Sequence, residues 1–198
     1  MPSPSVSRSN AAEPIFTESL SVHPLEPVLL SLGSNIGPDR NLLAATRLLA
    51  RRVQIVAASR VYETLPVGGS TGPVFLNAAL EIRYEHGPEP LKYRVLRPLE
   101  KELGRVRSED RNAPRTLDID ISLYGQRVVH DAASSLEIPD PEILERAHVA
   151  IPLADVAPRI LHPVVGLTLE EVAERFDDRG VQVFEGLVLW PQSDKFRE

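Results

Sequence analysis

The chain of 198 residues has no cysteine, and its single methionine is residue 1. Without thiols there is no disulfide framework, no thiolate nucleophile and no Cys-containing zinc site, a composition that suits a reducing cytoplasm. Positive charge is in deficit. The 22 Lys and Arg face 28 Asp and Glu, leaving a net charge of −6, so a broad electrostatic footprint for nucleic acid is not expected and a polyanionic ligand must meet a local basic patch. No apolar run approaches the ~18 residues of a membrane span, and the N-terminus lacks the basic-then-apolar order of a secretory signal. A soluble, cytoplasmic protein without nucleic-acid or membrane partners is therefore expected. Aromatics are sparse at 5%, whereas proline is plentiful, 18 of 198 residues, which predicts many punctuated loops.

The length is enough for one substantial core. Residues 1–27 are rich in Ser and Pro, and such composition repays ordering entropy poorly, so they read as a mobile N-terminal extension; residues 28–198 read as a single domain. Val28-Leu29-Leu30-Ser31-Leu32 is strand-like and is stopped by the turn Gly33-Ser34-Asn35-Ile36-Gly37. Pro38 and Asp39 open a helix whose Leu42, Ala45, Leu49 and Val53 recur at helical spacing. Strands are expected over 53–62 and 75–82. A second helical pattern follows, Leu91, Val95, Leu99 and Leu103, with Gly104 as a left-handed cap and Pro98 predicting a kink or a break. A strand over 117–123, a helix opened by Thr168 and Glu171 as a capping box, and a late strand over 181–190 anchored by Trp190 complete the pattern. The order gives an α+β, ferredoxin-like βαββαβ core, with helices packed on a mainly antiparallel sheet and C-terminal additions.

The chemistry concentrates between Gly104 and Asp120. Strand alternation projects Asp118 and Asp120 from one face and Leu117, Ile119, Ile121 and Leu123 from the other. Two carboxylates this close repel, and a hard divalent cation sustains them; a pair that leaves phosphates and water to complete the shell suits magnesium. An isolated Asp-x-Asp is more often an ordinary amphipathic strand. Here its company differs: Arg105, Arg107, Arg111 and Arg115 form a basic loop directly upstream on an acidic protein. Guanidinium forks donate bidentate hydrogen bonds to phosphate oxygens, so the combination suits a metal-bound polyphosphate. The histidines at 23, 86, 130 and 162 have no metal-ligand spacing, and zinc chemistry is not expected.

Five ordered motifs resemble the 6-hydroxymethyl-7,8-dihydropterin pyrophosphokinases of folate biosynthesis. They are Leu-Ser-Leu-Gly-Ser-Asn-Ile-Gly (30–37), Tyr-Glu-Thr-Leu-Pro-Val-Gly (62–68), Phe-Leu-Asn-Ala-Ala (75–79), Glu100 ahead of Gly-Arg-Val-Arg (104–107), and Ala-Pro-Arg-Thr-Leu-Asp-Ile-Asp (113–120). The resemblance runs from about Val28 to Phe176 and implies transfer of an intact pyrophosphoryl group from ATP to the hydroxymethyl oxygen of a reduced pterin, releasing AMP. It implies that Asp118 and Asp120 hold two magnesium ions. Arg105, Arg107 and Arg115 would be catalytic. Glu100, Arg107, Arg115, Ile121 and Arg146 would serve the nucleotide, and Thr64, Pro66, Val67, Phe75, Asn77 and His148 the pterin. A monomer is expected.

Some positions depart from the family pattern. Asp140 stands where a histidine is usual near the nucleotide, His148 where a phenylalanine commonly stacks, Ser108 at an often basic position, Asn112 at an often aromatic one, and Ser122 interrupts an aliphatic pair. An acid beside a triphosphate repels it unless it points away or meets Arg146. These departures leave a second expectation open: a catalytically weakened pterin- or nucleotide-binding module on the same scaffold. An RNA-binding ferredoxin-like domain is disfavoured by the acidic strand.

Overall fold

The computed structural model describes residues 25–65, 73–106, 113–133, 135–177 and 180–190. The main sheet contains β1 (Pro27–Ser34), β2 (Gln54–Ala58), β3 (Tyr62–Thr64), β4 (Phe75–Arg83), β5 (Asp118–Tyr124) and β8 (Val181–Val183). Its order is β5-β1-β4-β3-β8, with β2 also on β4 and every pairing antiparallel. β4 thus slots between β1 and the strands reached through α1 (Pro38–Leu49), which is the split β-α-β arrangement of a ferredoxin-like sheet.

Antiparallel partners share a face, so the register sorts the side chains. One face carries Leu30, Leu32, Ala78, Leu80, Ile119 and Ile121 against Leu42, Ala45 and Leu49 of α1 and Leu91, Leu96 and Leu99 of the second helical run. The opposite face carries Leu29, Ala79 and Leu123 against α4 (Glu142–Glu145), α5 (Ala147–Val156) and α6 (Leu169–Ala173), through Ile143, Val149, Leu153 and Val172. That second apolar layer covers only part of its face. The remainder carries Phe75, Asn77, Gly33, Asp118 and Asp120.

Several expectations are corrected in detail. Leu123 does not share a face with Ile119 and Ile121. Leu30 pairs with Ile121 and Leu29 with Leu123, so Ser122 is the extra residue of a bulge that flips the alternation. The strand expected over 53–62 is two strands, because Ser59 interrupts the ladder: its hydroxyl, rather than a backbone carbonyl, accepts the Ala79 N–H at 2.8 Å. The break expected at Pro98 is a change of helix type just before it, without a gap in the helical run. α2 (Pro88–Pro90) runs into a π-helical stretch, Leu91–Leu96, and then α3 (Arg97–Glu102), which places Pro98 in the first turn of a fresh α segment where its missing donor costs little. Of the strand expected over 181–190 only Val181–Val183 pairs; beyond it Leu189 is buried and Trp190 packs on the core. Gly104 takes the left-handed conformation, φ +79°, and Thr168 and Glu171 make the capping box.

Candidate active site

The register builds the site row by row. Tyr62 pairs with Asn77, Asn77 with Gly33, and Gly33 with Asp118; in the next row Ala79, Ser31 and Asp120 align. With strands ~4.8 Å apart, the acidic strand lies about 10 Å from Asn77, across one central strand. Gly33 keeps that interval open, because a Cβ there would stand 3.3 Å from Asn77 Oδ1. Asn77 is buried and donates through Nδ2 to the hydroxyl of buried Thr64 at 2.8 Å. Half-buried Phe75 sits with its ring centroid 6.0 Å from the Arg115 guanidinium carbon, so the apolar wall of one half meets the cation of the other.

Asp118 is held by two guanidiniums. Arg115 Nη1 donates to its Oδ2, and Arg105 Nη2 donates to the same oxygen at 3.4 Å. Asp120 has a different environment. Its carboxyl is pushed up to about 7, first because the surrounding atoms strip it of water and then by Asp118, Asp140 and Glu100, with Lys92 pulling it back. The residue still reaches solvent, so crowding reduces its hydration without removing it. Glu100, 2% exposed, lies beneath the strand. Its Oε1 accepts the N–H of Ile119, the residue between the two aspartates, at 3.0 Å, and its own carbonyl accepts the Arg105 N–H at 2.9 Å. One buried residue therefore ties the two together, its carboxylate fixing the backbone of the outermost strand and its main-chain carbonyl the start of the arginine loop.

Beside this edge runs a cleft of about 310 Å³, lined by Lys92 and Leu96 of the π-helical stretch, Arg115, Asp118, Asp120 and Ile121, and by the hairpin of β6 (Val129–Asp131) and β7 (Leu136–Ile138) with Asp140 beyond it. Lys92 Nζ donates to the Ser135 carbonyl, joining helix to hairpin across the cleft. Asp140 lies on the cleft wall: its N–H donates to the Ser122 carbonyl at 3.0 Å, and its Oδ1 accepts the Glu142 N–H at 2.9 Å. Among the described residues no salt bridge joins Asp140 to Arg146, which is exposed at the start of α5. Neither Lys92 nor this hairpin carries a local sequence signal; a lone lysine on a helix is ordinary.

Residues 29–158 match the family model for 7,8-dihydro-6-hydroxymethylpterin-pyrophosphokinase (HPPK). The chain belongs to this family. HPPK enzymes are transferases of folate biosynthesis that pass a pyrophosphoryl group from ATP to hydroxymethyldihydropterin. A 2-amino-4-hydroxy-6-hydroxymethyldihydropteridine pyrophosphokinase of Porphyromonas gingivalis is 40% identical over 142 residues, covering 69% of this chain and 93% of that protein. The folic acid synthesis protein fol1 of Pneumocystis carinii is 35% identical over 159 residues, 79% of this chain, but this chain spans only 21% of its length. The crystal structure of Plasmodium falciparum HPPK-DHPS superposes with a TM-score of 0.57 at 13% identity, covering 76% of this chain and 44% of that one, and supports the fold.

For an HPPK, the described structure brings Asp118, Asp120, Arg105, Arg115, Glu100 and Ile121 together at the outer strand and Thr64, Phe75 and Asn77 together two strands away. His148 stands in the first turn of α5, with its imidazole pKa lowered by burial and by Arg146 while Glu142 opposes this. Pro66, Val67 and Arg107 lie outside the described residues. Magnesium, expected with ATP in this family, fits the donor chemistry here: Asp118 and Asp120 offer hard oxygens, and Asp120 sits in a surplus of negative charge that a cation would relieve. Among the described residues no three His, Asp or Glu cluster as a metal site, so other ligands would come from phosphate and water.

Proposed function

We propose that this chain carries out its family's pyrophosphoryl transfer with the nucleotide in the cleft along β5 and the pterin over the Phe75–Asn77 end of the same sheet face. The observation that carries this reading is the register that aligns Asp118 and Asp120 on one face beside the cleft, with Asn77 one central strand away. Asp118 and Asp120 would hold two magnesium ions, whose charge would offset that of the triphosphate. Arg105 and Arg115, now paired with Asp118, would exchange that partner for phosphate oxygens and, with Arg107, offset charge developing in transfer. Ile121 and Arg146 would serve the nucleotide, with Glu100 supporting from beneath. Thr64, Pro66, Val67, Phe75, Asn77 and His148 would bound the pterin: Asn77 offers amide donor and acceptor chemistry, and Phe75 an aromatic face. No general base is required, because positioning and electrostatics supply most of the acceleration in phosphoryl transfer. The reading is of a monomer in a reducing cytoplasm, to which a cysteine-free chain is suited.

Incubation with ATP, magnesium and the reduced hydroxymethylpterin should yield AMP and pterin pyrophosphate; ADP, or no turnover, would defeat the assignment. Asp118→Ala and Asp120→Ala should each lower kcat by at least about a hundredfold in a folded protein, and near-wild-type rates would refute their role. The acid on the cleft wall, Asp140, favours the second reading, a weakened pterin- or nucleotide-binding module. Tight binding of both substrates without AMP release would select it.

A further inference from the structure

The turn after β1 is unused in the mechanism above, yet it grips the chain at Arg115. Asn35 Oδ1 accepts the Arg115 N–H at 2.7 Å, and the Arg115 carbonyl accepts the N–H groups of Asn35 and Ile36 at 3.1 and 3.2 Å. The Ser34 hydroxyl donates to the Thr116 carbonyl at 2.6 Å. Ser34 and Asn35 are buried. The turn is braced from behind, where Asn41 of α1 donates through Nδ2 to the Ile36 carbonyl at 2.6 Å and through its backbone to the Gly37 carbonyl at 3.0 Å.

These bonds lie where the sheet no longer helps. Pairing of β1 with β5 stops at Gly33–Asp118, three residues short of Arg115. Beyond that point the turn takes both backbone polar groups of Arg115, and one of its three bonds comes from a side chain that mutation can remove. We infer that Asn35, supported by Ser34, is a positioning residue for the transfer step: by fixing the Arg115 backbone it limits where the guanidinium can reach, so that the cation meets the phosphates in one place. The inference rests on the role proposed for Arg115. An arginine side chain has several free torsions, and anchoring its root restricts the volume its head samples; losses of this kind fall on kcat, because orientation matters most in the transition state.

The test is a double-mutant cycle with Asn35→Ala, Arg115→Ala and the pair, together with Asn35→Asp, which retains the Oδ1 acceptor. Asn35→Ala should lower kcat roughly ten- to a hundredfold with a smaller change in KM for the pterin. Exchange of the Arg115 amide proton, followed by NMR in the protein alone, should lose its protection. Asn35→Asp should restore both. In the Arg115→Ala background, Asn35→Ala should cost no more than about a further twofold. Fully additive losses, or wild-type kcat for Asn35→Ala beside a slow Arg115→Ala, would overturn the inference and leave the role of Arg115 standing. Wild-type turnover of Arg115→Ala would overturn that role and the inference with it. Should Asn35→Ala not fold, Ser34→Ala, which releases the Thr116 carbonyl, enters the same cycle with the same outcomes.

Discussion

Asp140 is the residue whose chemistry conflicts most with its place. Its carboxyl is pushed up to about 6, by burial first, with Glu142, Glu137 and Glu145 raising it and its hydrogen bond from the Glu142 N–H lowering it. Folded Asp140 therefore holds its proton more tightly than the ordinary value of 3.8. As pH rises between 3.8 and about 6 the unfolded chain has already lost that proton, so rising pH disfavours the fold, and above about 6 the penalty is complete. Asp140→Asn keeps an Oδ1 acceptor for Glu142 and removes the charge. Its Tm should match wild type near pH 4 and exceed it above pH 6, and a difference independent of pH would contradict the titration. The same substitution should lower KM for magnesium-ATP at pH 8, since one repelling charge leaves the cleft wall; an unchanged or raised KM would show that Asp140 does not face the phosphates. Sequence alternation made Asp118 and Asp120 legible as a pair, and the arginine excess made Arg105 and Arg115 legible as their company. Glu100 and Asn35 were not legible as backbone ligands, because a hydrogen bond from a side chain to an amide 19 or 80 residues away leaves no local pattern.

Elements were readable where a local rule decides them and unreadable where a distant partner does. The box of Thr168 and Glu171 closes within one turn, with the Glu171 N–H on the Thr168 hydroxyl at 3.2 Å and the Thr168 N–H on Glu171 at 2.8 Å. Thr168→Ala should cost about 1 kcal/mol of stability and leave kcat unchanged, because α6 packs on α5 in the apolar layer rather than at the acidic strand; thermal unfolding and steady-state kinetics check both. The bulge at Ser122 has the opposite character. A serine inside an aliphatic strand announces a departure, but only the pairing with β1 shows that it turns Leu123 to the second layer. The hairpin of β6 and β7, which walls the cleft, has strands of three residues each, too short for alternation to register. α5 is similarly hidden: it is apolar on most sides and contains Pro152, so no amphipathic stripe marks it.

The whole molecule is a division of labour between two faces of one sheet. One face is filled by aliphatic side chains under α1 and the π-containing helical run; the other is shared between a smaller apolar layer and the polar rows that form the site. The order of strands and helices was enough to expect this ferredoxin-like frame, although the pairings that close it, β1 with β4 and with β5, join residues far apart in the chain. Transfer as proposed depends on the acidic pair serving as the seat of a magnesium-bound triphosphate. Calorimetric titration with α,β-methylene ATP, in which the bond to be broken cannot react, measures this directly when run with and without magnesium on wild type and on Asp118→Asn/Asp120→Asn. Wild-type affinity should rise strongly when magnesium is supplied, and the doubly substituted protein should gain nothing from it; a double variant that keeps the full magnesium response would contradict the account.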